Sequence, residues 1–168
     1  STYQTNHPDT PVVIGDISNL LENDLKKILD FKPGVLDLLA GGPPCQGFSI
    51  NAPVRSLDDK RNHLLKDFVR IAAILLPKMI LIENVPGIIS LGRGTVVEQI
   101  YKELVGLGYT VDHRILFAGH YGVPQTRFRT IFIAVRNSHN ITFPDPSYDA
   151  HARLNFTGAK QLVTNTLP

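Results

Sequence analysis

The sequence predicts an α/β domain built on a mostly parallel sheet whose last strand runs antiparallel. Three observations carry this. Short apolar runs alternate with segments of helical periodicity along most of the chain. Met79-Ile80-Leu81-Ile82 is an uninterrupted apolar run, the pattern of a parallel strand buried on both faces. The last two strand-like segments, Tyr109 to Phe117 and Thr130 to Val135, are separated only by a loop, which suits an antiparallel pair.

In chain order, Val12-Val13-Ile14 reads as a short strand ending at Gly15-Asp16. Asn19 and Glu22 have capping-box spacing, and Leu20, Leu21, Leu25, Ile28 and Leu29 supply one helical apolar face. Pro33-Gly34 breaks that helix and delivers the strand Val35 to Ala40. After a Gly- and Pro-rich loop, Asn62 to Leu76 is a strongly apolar helix stopped by Pro77. The apolar strand from Met79 ends at Glu83-Asn84-Val85-Pro86-Gly87. A third helix runs from about Thr95 to Leu107, with Gly108 just past its end. Tyr109 to Phe117 alternates apolar and polar side chains, as a strand with one solvated face does. Beyond Pro146 the periodicity fades, so residues 1–146 read as one domain and 147–168 as a loop or linker.

A chain of 168 residues, 43% hydrophobic, can bury one core. Its net charge of +2 neither demands nor excludes nucleic acid. No apolar run approaches the roughly 20 residues of a membrane span. A single cysteine excludes a disulfide within the chain and a Cys-rich zinc site, and the six histidines show no metal-ligand spacing, so no metal is expected. A reduced intracellular compartment, cytoplasmic or nucleoid-associated, follows as an expectation.

The lone thiol, Cys45, sits in Gly41-Gly42-Pro43-Pro44-Cys45-Gln46-Gly47-Phe48-Ser49 at the end of a strand. A free cysteine is more often a small buried hydrophobe than a nucleophile. Here two prolines stiffen the backbone ahead of it and Gly47 allows a sharp bend behind it, an arrangement suited to aiming a side chain. Asp16, Cys45 and Glu83 all fall at carboxyl ends of expected strands, outside which open α/β sheets bind their ligands. A thiolate beside a carboxyl that donates or accepts a proton is a plausible catalytic pair, against the plainer reading of Glu83 as a helix cap. Arg127 and Arg129 lie at alternate positions entering the last strand, where planar guanidinium groups can hold a carbonyl or phosphate, although a solvated strand end is the commoner fate of such a pair.

Pro43-Pro44-Cys45-Gln46-Gly47-Phe48-Ser49, Glu83-Asn84-Val85 and Gln125-Thr126-Arg127-Phe128-Arg129, in that order and spacing, resemble three signature motifs of the DNA (cytosine-5) methyltransferases. Asn6-His7-Pro8-Asp9-Thr10 leading to Gly15-Asp16-Ile17 resembles the family's adenine-binding segment. The match covers about Tyr3 to Pro146.

The resemblance implies a Rossmann-like S-adenosylmethionine-dependent methyltransferase fold acting on double-stranded DNA. It implies that Cys45 adds to carbon 6 of a flipped-out cytosine, so that carbon 5 takes the methyl group of S-adenosylmethionine. Glu83 would meet ring nitrogen 3 and the exocyclic amine, and Arg129, supported by Arg127, the ring oxygen. Asp16 would bind the adenine amine, Ile17 would pack on its ring, and Pro44 and Leu64 would line the cofactor. Gln46, Ser49, Arg55, Lys60, Arg61 and Gln125 would face DNA, the first five on or beside a mobile loop that closes over the base. For any one of those three loop charges a solvated position is the plainer reading.

The family's first strand, glycine-rich loop, ribose-holding acid, target-recognition domain and last motif find no counterpart in these residues. The expectation is therefore a partial catalytic domain, inactive and poorly soluble alone, completed by further segments or by a complementary chain. Thymidylate synthases also present a cysteine beside prolines to a pyrimidine, but the Glu83 and Gln125–Arg129 clusters count against them. A tRNA-directed member of the family and a non-catalytic DNA-binding remnant are the remaining alternatives.

Overall fold

The computed structural model describes residues 2–29, 32–44, 63–138 and 140–148. Four helices, α1 (Thr2–Asn6), α2 (Glu22–Leu29), α3 (His63–Leu75) and α4 (Thr95–Gly106), accompany four strands, β1 (Leu38–Gly41), β2 (Met79–Asn84), β3 (Tyr109–Phe117) and β4 (Phe128–Arg136). The sheet order is β1-β2-β4-β3. β1 and β2 pair in parallel from Leu38↔Met79 to Gly41↔Ile82. β4 is antiparallel both to β2 and to β3. Three strands therefore run one way and the last is reversed, as expected, but it lies between β2 and β3 and not at an edge.

The main core cluster lies on one face of the sheet. β2 turns Ile80, Ile82 and Asn84 into it and leaves Met79, Leu81 and Glu83 half-buried on the other face. This corrects the expectation of a strand buried on both faces. Phe68, Val69 and Ala72 of α3, Ile100 and Leu104 of α4, and Phe132 and Ala134 of β4 pack against Ile80 and Ile82. The crossover from β1 to β2 runs through α3, because parallel neighbours cannot be joined by a tight turn. That helix ends where Leu76 adopts φ 44°, a left-handed conformation costly for a branched side chain, just before Pro77. The Tyr109 hydroxyl donates to the Pro77 carbonyl at 2.5 Å and the Gly34 N–H to the Leu75 carbonyl at 3.0 Å, which holds this end closed.

Two expected features near the amino terminus differ. Val12-Val13-Ile14 forms no strand among the described residues, and Val13 and Ile14 are 52% and 74% exposed. A strand exists only through a paired neighbour, and these three residues have none among the described residues. The helix start also moves: α2 begins at Glu22, so Leu21 stands at its N-cap and Asn19 lies in a preceding 3-10 turn, Ile17–Asn19. The Asp24 carboxylate reaches back to the Leu21 N–H at 3.2 Å, half of a capping box without the usual polar cap residue. β1 is likewise shorter than expected, since Val35 precedes it and is exposed.

Candidate active site

Parallel pairing of β1 and β2 brings the ends of both strands to one side of the sheet, and the start of β4 arrives there because β4 runs the opposite way. Gly42-Pro43-Pro44, Glu83-Asn84 and Arg129 thus meet although they are far apart in sequence. Arg129 Nε donates to Glu83 Oε1 at 2.5 Å, and Arg129 Nη1 donates to the Phe128 carbonyl at 2.7 Å. The glutamate side chain is 41% exposed and the arginine 25%, so the pair is anchored at the sheet and open on one side.

The two glycines at the end of β1 have different reasons to be glycine. A Cβ on Gly41 would collide with the ring of Phe68. One on Gly42 would stand 3.2 Å from Glu83 Oε2 and 3.6 Å from the Glu83 carbonyl oxygen. The strand that leads to Cys45 therefore passes directly over the glutamate. Asn84, 4% exposed, fastens it there: Nδ2 donates to the Pro43 carbonyl at 3.0 Å while Oδ1 accepts the Val85 N–H at 2.9 Å.

Of the remaining expected site residues, Arg127 is exposed in the loop ahead of β4. Its backbone is fixed, with its N–H on Gln125 and its carbonyl accepting from Ala118, but its guanidinium joins no hydrogen bond or ion pair among the described residues. Gln125 is exposed and lines an open cleft of about 410 Å³ with Phe117, Val123, Pro124, Thr126 and Tyr148. Tyr148 and Ser147, at the start of the expected linker, both donate their N–H groups to the His120 carbonyl. Leu64 is half-buried in the first turn of α3, and Pro44 is exposed. Cys45, Gln46, Ser49, Arg55, Lys60 and Arg61 lie outside the described residues.

Asp16 does not end a strand. It caps the Ile17–Asn19 turn, accepting from the Ser18 N–H at 2.9 Å and the Ser18 hydroxyl at 2.8 Å, both on Oδ1. Those two donors hold its carboxyl below the ordinary carboxylate range, so it is an exposed, ionised acceptor. Ile17 beside it is half-buried against the cluster of Leu25, Ile71 and Leu75.

Sequence reasoning gave no role to three residues that build this region. Asn84 follows Ile80 and Ile82 at the same inward spacing, and a polar residue at that position is the signal that could have marked it. Gly42 is legible only once Glu83 is known to lie beneath it. Arg70 of α3 donates to the carbonyls of Leu20 and Ile17, each at 2.7 Å, and to Asp67 at 3.0 Å, tying the Asp16 turn to the helix. An arginine on the buried side of an apolar helix was its only sequence mark. Among the described residues no group of His, Cys, Asp and Glu could hold a metal, and no helix is long and apolar enough to cross a membrane.

Comparison with known proteins fits this arrangement. The family model described as C-5 cytosine-specific DNA methylase matches residues 1–166. The type II methyltransferase M1.HphI of Haemophilus parahaemolyticus is 37% identical over 159 residues, covering 94% of this chain and 41% of that protein. The type II methyltransferase M.AquIA of Picosynechococcus is 34% identical over 156 residues, covering 88% of this chain and 63% of its own length. A crystal structure described as a DNA modification methyltransferase from an E. coli prophage superposes with a TM-score of 0.67 at 34% identity, over 80% of this chain and 36% of that one. The S. pombe Dnmt2 methyltransferase gives 0.62 at 25% identity, over 83% and 41%. The chain thus spans between two fifths and two thirds of the curated relatives named here. By its sequence and by its fold, the chain belongs to the C-5 cytosine-specific DNA methylase family.

Proposed function

We propose that these residues form the catalytic centre of a DNA cytosine-5 methyltransferase that uses S-adenosylmethionine and acts through a covalent adduct between Cys45 and carbon 6 of a flipped-out cytosine. The observation that carries this reading is the double fastening at the sheet end. Glu83 is pinned by Arg129, and the strand leading to Cys45 is pinned over Glu83 by Asn84.

Each residue has work that matches its chemistry. A free thiol has a pKa of about 8.5 and attacks as the thiolate. Attack at carbon 6 pushes electrons into the pyrimidine ring, toward ring nitrogen 3. Glu83, when protonated, can donate there, which leaves a neutral enamine whose carbon 5 is nucleophilic. Arg129 orients Glu83 and brings positive charge to the oxygen side of the ring. Once carbon 5 carries the methyl group, its proton passes to water acting as base, the electron pair of that bond expels the Cys45 thiolate from carbon 6, and 5-methylcytosine is released. S-adenosylmethionine supplies an electrophilic methyl group. Asp16 fits its adenine end, since an ionised, exposed carboxylate accepts from an exocyclic amine, with Ile17, Pro44 and Leu64 offering apolar contact. Arg127 would support the oxygen side of the pocket. Gln46, Ser49, Arg55, Lys60, Arg61 and Gln125 would face the DNA, where cationic side chains gain from phosphate contact.

The reading includes further segments, in the same or a complementary chain, that complete the cofactor pocket and read the target sequence. The test supplies radiolabelled S-adenosylmethionine to duplex DNA, and separately to transfer RNA, with the 168 residues alone and with the flanking segments of a longer relative added. Label in 5-methylcytosine of DNA, in the supplemented sample and not with Cys45→Ser, is the expected result. Label confined to transfer RNA, or none in either, contradicts it.

A further inference from the structure

The sheet order β1-β2-β4-β3 leaves β3 with β4 on one side and, among the described residues, no strand on the other. At nine residues, Tyr109–Phe117, it is a long edge, and it holds neither the proline nor the lysine that commonly blunts one. Its backbone groups alternate in direction. The Ala118 N–H donates to the Arg127 carbonyl at 2.8 Å, so even-numbered residues of β3 turn theirs toward β4 and odd-numbered residues turn theirs outward. His113 agrees with this, because its N–H goes to Asp112 Oδ1 at 2.7 Å and not to β4.

The side chains of β3 complement their own reversal about His113. Tyr109 answers Phe117, Val111 answers Ile115, and Asp112 answers Arg114. In an antiparallel pair centred there, the outward-facing odd-numbered residues exchange backbone hydrogen bonds. Asp112 then stands opposite Arg114 of the second copy at a non-hydrogen-bonded position, where side chains approach most closely. Both charges lie on one face of the strand, where Arg114 sits over the Phe143 ring, 4.8 Å from its centroid. His113 is engaged within its own copy by Tyr101 and Phe132, and burial favours its neutral form, so two such rings at the centre do not repel. The other unpaired edge, β1, is short and uncharged, Leu38–Gly41.

We propose that the free edge of β3 docks a second copy of this chain, antiparallel about a two-fold axis at His113, to form one continuous sheet. The axis makes each contact twice, so Asp112 of either copy gives up the His113 N–H and meets Arg114 of the other. β3 runs parallel to β2, since both oppose β4, so the two sheet ends that carry Glu83 point in opposite directions.

Sedimentation velocity of the 168-residue chain over a concentration series tests this, with far-UV circular dichroism to check folding. The expected result is a monomer–dimer equilibrium. Asp112→Arg and Arg114→Asp each set like charges against each other twice, and each should weaken the dimer by about tenfold or more. Mixed in equal amounts, the two variants should recover it as a heterodimer, because their charges then oppose. If a reversal does not fold, Asp112→Asn decides, with a loss of about threefold or more from two missing ion pairs. A chain that stays monomeric overturns the proposal, as do folded reversal variants that remain monomeric when mixed. Association indifferent to residues 112 and 114 overturns it too, since that would point to the β1 edge.

Discussion

Arg129 reaches diagonally across the β4–β2 ladder to hold Glu83 Oε1, while the other carboxylate oxygen lies under Gly42. One glutamate is thereby shared between the strand that precedes Cys45 and the strand that brings in the arginine. Antiparallel insertion of β4 beside β2 makes this possible, because it sets the start of one strand against the end of the other.

Glu83→Gln preserves shape and loses the acid. Methyl transfer by the complete enzyme should fall by about 10²-fold or more, the scale of general acid catalysis. Thermal unfolding should move little, since the carboxylate is partly exposed and its ion pair contributes little to stability. Unchanged turnover would reduce Glu83 to a turn residue.

Arg70→Met should loosen the turn that carries Asp16. Three charge-assisted hydrogen bonds from a half-buried guanidinium disappear, for an expected loss of about 1–2 kcal/mol in denaturant unfolding. In the complete enzyme, affinity for S-adenosylmethionine should weaken as well. Full retention of both would show that the turn is held by Ile17 and Leu20 packing alone.

Part of the fold was legible in the sequence. β3 occupies the residues its alternation predicts, Tyr109–Phe117, and α3 and α4 match their periodicity to within a residue at each end. Strong local patterns suffice where a side chain's neighbours lie within its own element. Val12–Ile14 fails because pairing, not propensity, makes a strand. The motif residues Glu83, Asn84 and Arg129 were visible, but Asn84's partner is a carbonyl 41 positions away and Arg70's partners lie 50 and 53 away. Backbone acceptors leave no trace in residue identity, so such ties are invisible until the chain is folded.

Thr130→Val should be neutral or stabilising. The Thr130 hydroxyl is fully buried and has no hydrogen-bond partner among the described residues, and an unsatisfied buried polar group costs about 1–3 kcal/mol. Equilibrium unfolding of the variant should give equal or greater stability. A clear loss would mean that the hydroxyl bonds to a group outside the described residues.

His113 Nδ1 and the Tyr101 hydroxyl share a hydrogen bond of 2.8 Å, and the ring stacks on Phe132. Burial, then Asp112, pushes the Tyr101 hydroxyl up to about 12, so it stays protonated. Burial also pushes His113 below its ordinary value of 6.5, despite the opposing charge of Asp112. The folded state prefers the neutral ring, so its contribution to stability is present above 6.5 and lost as pH falls through the lowered folded value. His113→Gln should flatten this acid-side loss in unfolding experiments; an unaltered pH profile would contradict it.

The central claim is that Cys45 is the nucleophile that attacks a cytosine held against Glu83. The most direct measurement incubates the complete enzyme with S-adenosylmethionine and duplex DNA carrying 5-fluorocytosine at the target, then looks for a stable protein–DNA adduct by denaturing electrophoresis and mass spectrometry. Fluorine cannot leave carbon 5 as a proton does, so the adduct should persist, map to Cys45 and vanish with Cys45→Ser. An adduct of undiminished yield in the serine variant, or one that maps to another residue, would contradict the account.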